Sequence, residues 1–143
     1  MFRVGDPLRF SIGRYLPLPA GDKQPSLRKW HVWGDSHQSV EAAGDGGSIT
    51  MVEDFLSYHK VFASGNQVVC LFGTRIYPPV LEYLRQQNKP VIVWLDEDQR
   101  DTMPRVCANL ELLTGVPVKY VSTQKDPKEL SIRGISSIIS GVE

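Results

Sequence analysis

From residue 48 onward, short unbroken apolar runs alternate with stretches whose apolar residues recur at helical spacing. The clearest run is Val91-Ile92-Val93-Trp94-Leu95, bounded on its left by Pro90. It is β-branched or aromatic apart from Leu95, the pattern of a strand buried on both faces of a parallel sheet. Gln67 to Phe72 is a second such strand, closed by Gly73-Thr74. Ser48 to Val52 is a shorter one ending at Glu53, and Val116 to Val121 is a fourth, partly alternating. Between them the spacing predicts a helix over 54–62 with Phe55, Leu56 and His59 on one face. It predicts another over 77–87, with Pro78 and Pro79 in the first turn, where a missing N–H costs little, and with Val80, Leu81 and Leu84 inward. A third helix starts after Thr102 and carries Met103, Val106, Cys107, Leu110 and Leu113 on its apolar stripe, with Gly115 as its stop. Asp126-Pro127 breaks the chain, and a last helix is expected over 132–139.

Four strands alternating with helices of about ten residues imply right-handed crossovers and a parallel sheet covered on both faces. Ligands of such sheets sit beyond the carboxyl ends of the strands. Those ends carry Glu53, the Gly73-Thr74 turn, the acidic run Asp96-Glu97-Asp98 followed by Asp101, and Lys125-Asp126. Carboxylates crowded at the end of a buried strand repel one another. Either a hard divalent cation with oxygen ligands offsets them or they form a solvated acidic turn.

Residues 1–47 follow no such period. Gly13-Arg14-Tyr15-Leu16 and Lys29-Trp30-His31-Val32-Trp33 read as short strands, Pro17, Pro19, Gly21 and Pro25 as turns, and Asp35 to Gly47 as a loop. The expected organisation is an irregular, β-rich appendage over 1–47 and an α/β domain over 48–143. Charge sharpens that division. The net charge is zero, yet residues 1–36 carry six Lys/Arg against three Asp, and the remainder carries ten basic and thirteen acidic side chains. A basic front beside an acidic body suits a polyanion held near a cation site.

Composition narrows the alternatives. At 143 residues and 41% hydrophobic content the chain supports one sizeable core. No apolar run is long enough to cross a membrane, and Met-Phe-Arg is not the start of a signal peptide. Cys70 and Cys107 fall in apolar segments and read as buried free thiols, which fits a reducing, cytoplasmic setting. His31, His37 and His59 lack metal-ligand spacing. Trp30 and Trp33 suit either base stacking or anchorage of the front segment. No Gly-x-x-x-x-Gly-Lys-Ser/Thr loop is present, so no nucleotide-driven motor is encoded here.

Four segments in this order resemble the Toprim domain of bacteriophage-type DNA primases. They are Val52-Glu53-Asp54-Phe55-Leu56-Ser57, Leu71-Phe72-Gly73-Thr74, Trp94-Leu95-Asp96-Glu97-Asp98 and Lys125-Asp126-Pro127-Lys128-Glu129. Gly13-Arg14-Tyr15 followed by Lys29-Trp30 is similar to the segment that precedes the Toprim core in those primases, so the likeness spans about residues 12–139. Three positions depart from the family's pattern: Asp54 stands where many members have Gly, Ser57 where bacterial primases have a further Asp, and Asp101 where a Gly often follows. Two cysteines cannot build the zinc module with which primases select start sites.

The resemblance implies a Rossmann-like Toprim fold and magnesium- or manganese-dependent synthesis of RNA primers on single-stranded DNA during phage replication. Nucleoside triphosphates would be the substrates, and a replicative helicase or other replication proteins the partners, in the host cytoplasm. Two ions about 3.5–4 Å apart would activate the entering hydroxyl and neutralise the phosphoryl charge. Asp96 and Asp98 would hold metal, and Glu53 would hold metal or act as base. Arg14, Arg28, Lys29 and Lys125 would contact phosphates. Arg75 would either do the same or be solvated. With water in place of the hydroxyl the same residues suit a small Toprim nuclease, and without turnover a nucleic-acid-binding module.

Overall fold

The computed structural model describes the backbone of residues 2–4, 10–14 and 30–34 and, with side chains, residues 40–143. The chain divides into two compact units, Met1–Gln38 and Ser39–Glu143. In the first, β1 (Phe2–Val4), β2 (Phe10–Arg14) and β3 (Trp30–Gly34) form an antiparallel sheet in that order. Arg14 stands opposite Trp30 in its register. Of the strands expected over 13–16 and 29–33, β2 includes Gly13 and Arg14 and β3 includes Trp30 to Trp33; these two pair with each other, β1 joins them as a third, and Tyr15, Leu16 and Lys29 lie outside the described residues.

The second unit is mixed α/β. Its elements are β4 (Glu41–Ala43), β5 (Ile49–Val52), α1 (Phe55–Ala63), β6 (Gln67–Cys70), α2 (Pro78–Gln87), β7 (Val91–Trp94), α3 (Met103–Thr114), β8 (Val118–Tyr120) and α4 (Ile132–Val142). Two single 3-10 turns, Glu97–Gln99 and Pro127–Glu129, follow β7 and β8. The sheet order is β4-β6-β5-β7-β8. The last four strands pair in parallel and β4 runs antiparallel along β6.

The four expected parallel strands are thus joined by a fifth in a stretch read as loop. Glu41-Ala42-Ala43 has no apolar run, and only the free edge of β6 makes it a strand. Gly44 then turns the chain at φ +83, where a Cβ would lie 2.6 Å from the Asn66 carbonyl oxygen, so only glycine fits.

Every residue of β5, β6 and β7 is buried, as strands covered on both faces require. Alternation divides them. Ile49, Met51, Val91 and Val93 pack with Leu84 of α2 and Met103 of α3 in one core. Their neighbours Val52, Val68 and Trp94 face the other way, towards α1 and α4, which bury Tyr58, Val61, Ile135 and Ile139. In α1 the buried residues are Phe55, Ser57, Tyr58 and Val61, whereas His59 is exposed and Leu56 only half-buried. The inward face is therefore rotated from the expected one. Cys70 and Cys107 are free and buried, and burial pushes both thiols up, Cys107 to about 11.

Trp94 is fully buried, and its indole Nε1 donates to Thr123 Oγ1 at 3.0 Å. Thr123 Oγ1 in turn donates to the Lys125 carbonyl at 2.5 Å, so one tryptophan sets the path of the chain after β8. Trp94→Phe leaves a cavity and breaks that link. It is expected to cost about 1–3 kcal/mol in denaturant unfolding. A loss within about 0.5 kcal/mol, the range of surface substitutions, would show that the link carries no stability.

Candidate functional site

The connection from β5 turns towards β6 through α1, on one face of the sheet. The connection from β7 turns towards β8 through α3, on the other face. Because β5 and β7 are neighbours, the chain leaves their carboxyl ends in opposite directions, which makes this the topological switch point of the sheet. Glu53 and Asp96 stand at that point. The switch in direction brings together two acids 43 positions apart.

Glu53 is half-buried and its Oε2 accepts the backbone N–H of Asp96 at 2.6 Å. Phe72 and Gly73, with φ of 55 and 149, turn the chain after β6 so that the Gly73 N–H reaches the Glu53 carbonyl at 3.0 Å. Main chain and side chain of Glu53 are therefore both held. Burial raises its carboxyl to about 7. The Asp96 N–H opposes the rise, and the charges of Asp96, Asp98 and Asp54 add to it.

Asp96 begins the 3-10 turn Glu97–Gln99. Its Oδ1 is buried and has no hydrogen-bond partner among the described residues. Burial again leads in raising it, to about 6. Lys128 pulls the other way, while Asp126, Asp54 and Asp98 push further up. Mutual repulsion of the rim carboxylates, expected from the sequence, is thus present but ranks behind desolvation.

Lys128 lies among these acids. Its Nζ is 3.0 Å from Asp54 Oδ2, 3.4 Å from Asp126 Oδ2 and 3.7 Å from Asp96 Oδ2. Burial works against its charge, but the hydrogen bond to Asp54 and the charges of Asp54, Asp96 and Asp126 outweigh burial and raise its pKa. Asp54 also caps α1, accepting the Ser57 N–H at 2.8 Å and the Ser57 hydroxyl at 3.2 Å. Asp126 accepts the Glu97 N–H at 3.3 Å, joining the turns after β7 and β8.

Two of the three positions that differ from the Toprim pattern have partners here. Asp54 takes a cap and an ion pair, and Ser57 is the buried hydroxyl bonded to it. The third, Asp101, needs no glycine: Phe72 and Asn88 are the non-glycine residues with positive φ among those described.

Of the expected acids, Glu53 meets Asp96 through the Asp96 backbone N–H. Asp98 is exposed, lines a shallow cleft with Glu97, Arg100 and Asp101, and reaches the pair through its field alone. Arg75 and Lys125 are exposed at the same carboxyl edge, after β6 and β8. Arg14 lies in β2 of the other unit, and Arg28 and Lys29 lie outside the described residues. Sequence reasoning fixed on Lys125 and passed over Lys128. The available signal was Asp126-Pro127-Lys128-Glu129, a Pro-initiated turn that aims its second residue back at the sheet edge.

The donors suit a hard cation: carboxylate oxygens, one of them buried and, among the described residues, unpartnered. Their arrangement does not. Among the described residues no three His, Cys, Asp or Glu are placed to hold a metal ion. Lys128 fills the space between three of the acids, and Glu53 Oε2 is taken by a backbone N–H. As arranged, the rim holds an ammonium group and not a divalent ion. Compared with family models, curated proteins and solved structures, the chain matches none.

Proposed function

We propose that this chain is the Toprim-type portion of a DNA primase, joining nucleotides on a single-stranded DNA template. The observation that carries the reading is the Glu53–Asp96 pair at the switch point, two half-buried acids poised to ionise near neutral pH. Primer synthesis requires a 3′-hydroxyl to lose its proton as it attacks the α-phosphate of a nucleoside triphosphate, with pyrophosphate leaving. A base is most effective when its pKa lies near the working pH, and Glu53, at about 7, meets that condition. The Asp96 N–H fixes its orientation. Arg75 and Lys125, exposed at this edge, would contact phosphates, and the resemblance implies the same role for Arg14, Arg28 and Lys29. Magnesium or manganese enters this reading from the resemblance and not from the rim as it stands, where Lys128 supplies the positive charge. A replicative helicase is proposed as partner on the same ground. Among the described residues no helix is long and apolar enough to cross a membrane.

The test is incubation with a single-stranded template, labelled nucleoside triphosphates and magnesium or manganese, beside a control without triphosphates. Template-dependent oligoribonucleotides are expected. Cleavage of the template in the control would assign the chain to hydrolysis, with water in place of the hydroxyl. Neither product from folded protein would leave only a binding role.

A further inference from the structure

A lysine beside acids is common, and most such pairs on a surface contribute little. Lys128 differs in how it is held. Its side chain is 22% exposed, and the turn that carries it is tied at several points. Pro127 is buried, the Asp126 N–H donates to Glu129 Oε2 at 3.1 Å, and Lys60 Nζ donates to the Leu130 carbonyl at 2.7 Å. Asp126 is itself bonded to the turn after β7. The backbone on both sides of Lys128 is thus fixed, and its ammonium is aimed between Asp54, Asp96 and Asp126. A divalent ion binds carboxylate oxygens at about 2.0–2.6 Å. An ammonium 3.0–3.7 Å from the same three oxygens leaves no room for one and repels it. Asp96 Oδ1, buried and without a partner among the described residues, is the oxygen that Lys128 does not satisfy.

We propose that Lys128 is a tethered counter-ion that occupies the cation position of this rim and keeps divalent ions out. The inference rests on reading the rim as a phosphoryl-transfer site, and it gives the Asp54 departure a purpose: Asp54 is the closest anchor of the lysine.

Manganese titration followed by the electron paramagnetic resonance of the free ion tests it, on wild type, Lys128→Gln, Lys128→Arg and Lys128→Gln with Asp96→Asn. Lys128→Gln should bind manganese at least about tenfold tighter than wild type, because one positive charge leaves the site. Lys128→Arg should stay near wild type, and the double variant should lose the gain. Equal affinity of wild type and Lys128→Gln overturns the proposal, as does a gain that survives Asp96→Asn. If Lys128→Gln unfolds without metal, the same titration is read by circular dichroism. Refolding by manganese supports the proposal and failure to refold overturns it. Primer synthesis and cleavage on the same preparations judge the functional reading separately. A manganese gain with neither activity retains the counter-ion and removes the primase. Activity with no gain does the reverse.

Discussion

Glu53→Gln should lower primer synthesis, or phosphodiester cleavage if that is the activity found, by about a hundredfold or more. The same variant should unfold at a higher temperature than wild type at pH 8. The two effects have one cause. Burial raises the Glu53 carboxyl from 4.5 to about 7, so the native state holds this proton more tightly than the unfolded chain does. Between those values the unfolded state has lost its proton and the native state has not, and stability falls as pH rises. Above about 7 both are ionised and the penalty is complete. Asp96, raised from 3.8 to about 6, adds a smaller loss over a lower window. Gln has no proton to lose, so the Glu53 share of the decline disappears, and its carbonyl oxygen still accepts the Asp96 N–H. Because Glu53 is only half-buried, the gain at pH 8 is about 1–2 kcal/mol and not the full value of the shift. In wild type, activity should rise with pH and level off above about 7 as the base becomes free. Melting curves and rates from pH 5 to about 8.5 on one preparation separate this from a structural carboxylate, whose loss lowers stability and leaves the rate per folded molecule unchanged. A folded, fully active Glu53→Gln protein would remove Glu53 from the chemistry.

Much of this arrangement is legible in the chain because parallel strands declare themselves. Val91–Trp94 is apolar throughout and Gln67–Cys70 is apolar after its first residue, and only burial on both faces permits that. Strand ends then follow, and with them the meeting of Glu53 and Asp96. What escapes the sequence depends on neighbours. β4 exists because β6 offers an edge, and no local pattern marks it. The face of α1 turns on Ser57, a polar residue buried because the Asp54 cap takes its hydroxyl. Hydropathy ranks Leu56 above it and misplaces the stripe. Lys128 sits 74 positions from Asp54 and 32 from Asp96, and no spacing rule connects residues across three different turns. The basic residues at 125 and 128 look equivalent in sequence. The 3-10 turn exposes one and folds the other inward.

Asp54→Ala should lower stability by about 2–4 kcal/mol, a large loss for one partly buried side chain. Three interactions end together. The N-cap of α1 disappears, worth about 1 kcal/mol in most helices. Ser57, fully buried, loses the acceptor of its hydroxyl, at a cost of about 1–3 kcal/mol. Lys128 loses its nearest partner and keeps Asp126 and Asp96 at longer range. Asp54→Asn separates these contributions. The Asn carbonyl oxygen still caps the helix, so that variant should recover at least half of the loss in denaturant unfolding. It also removes a negative charge that raises both Glu53 and Asp96. The midpoint of the pH–rate profile should therefore move below the wild-type value near 7, although no atom of Asp54 touches the reacting groups. A cap acting on folding alone would change stability and leave that midpoint in place. If Asn costs as much as Ala and the midpoint does not move, Asp54 serves neither the helix cap nor the field at the rim in the way its contacts indicate.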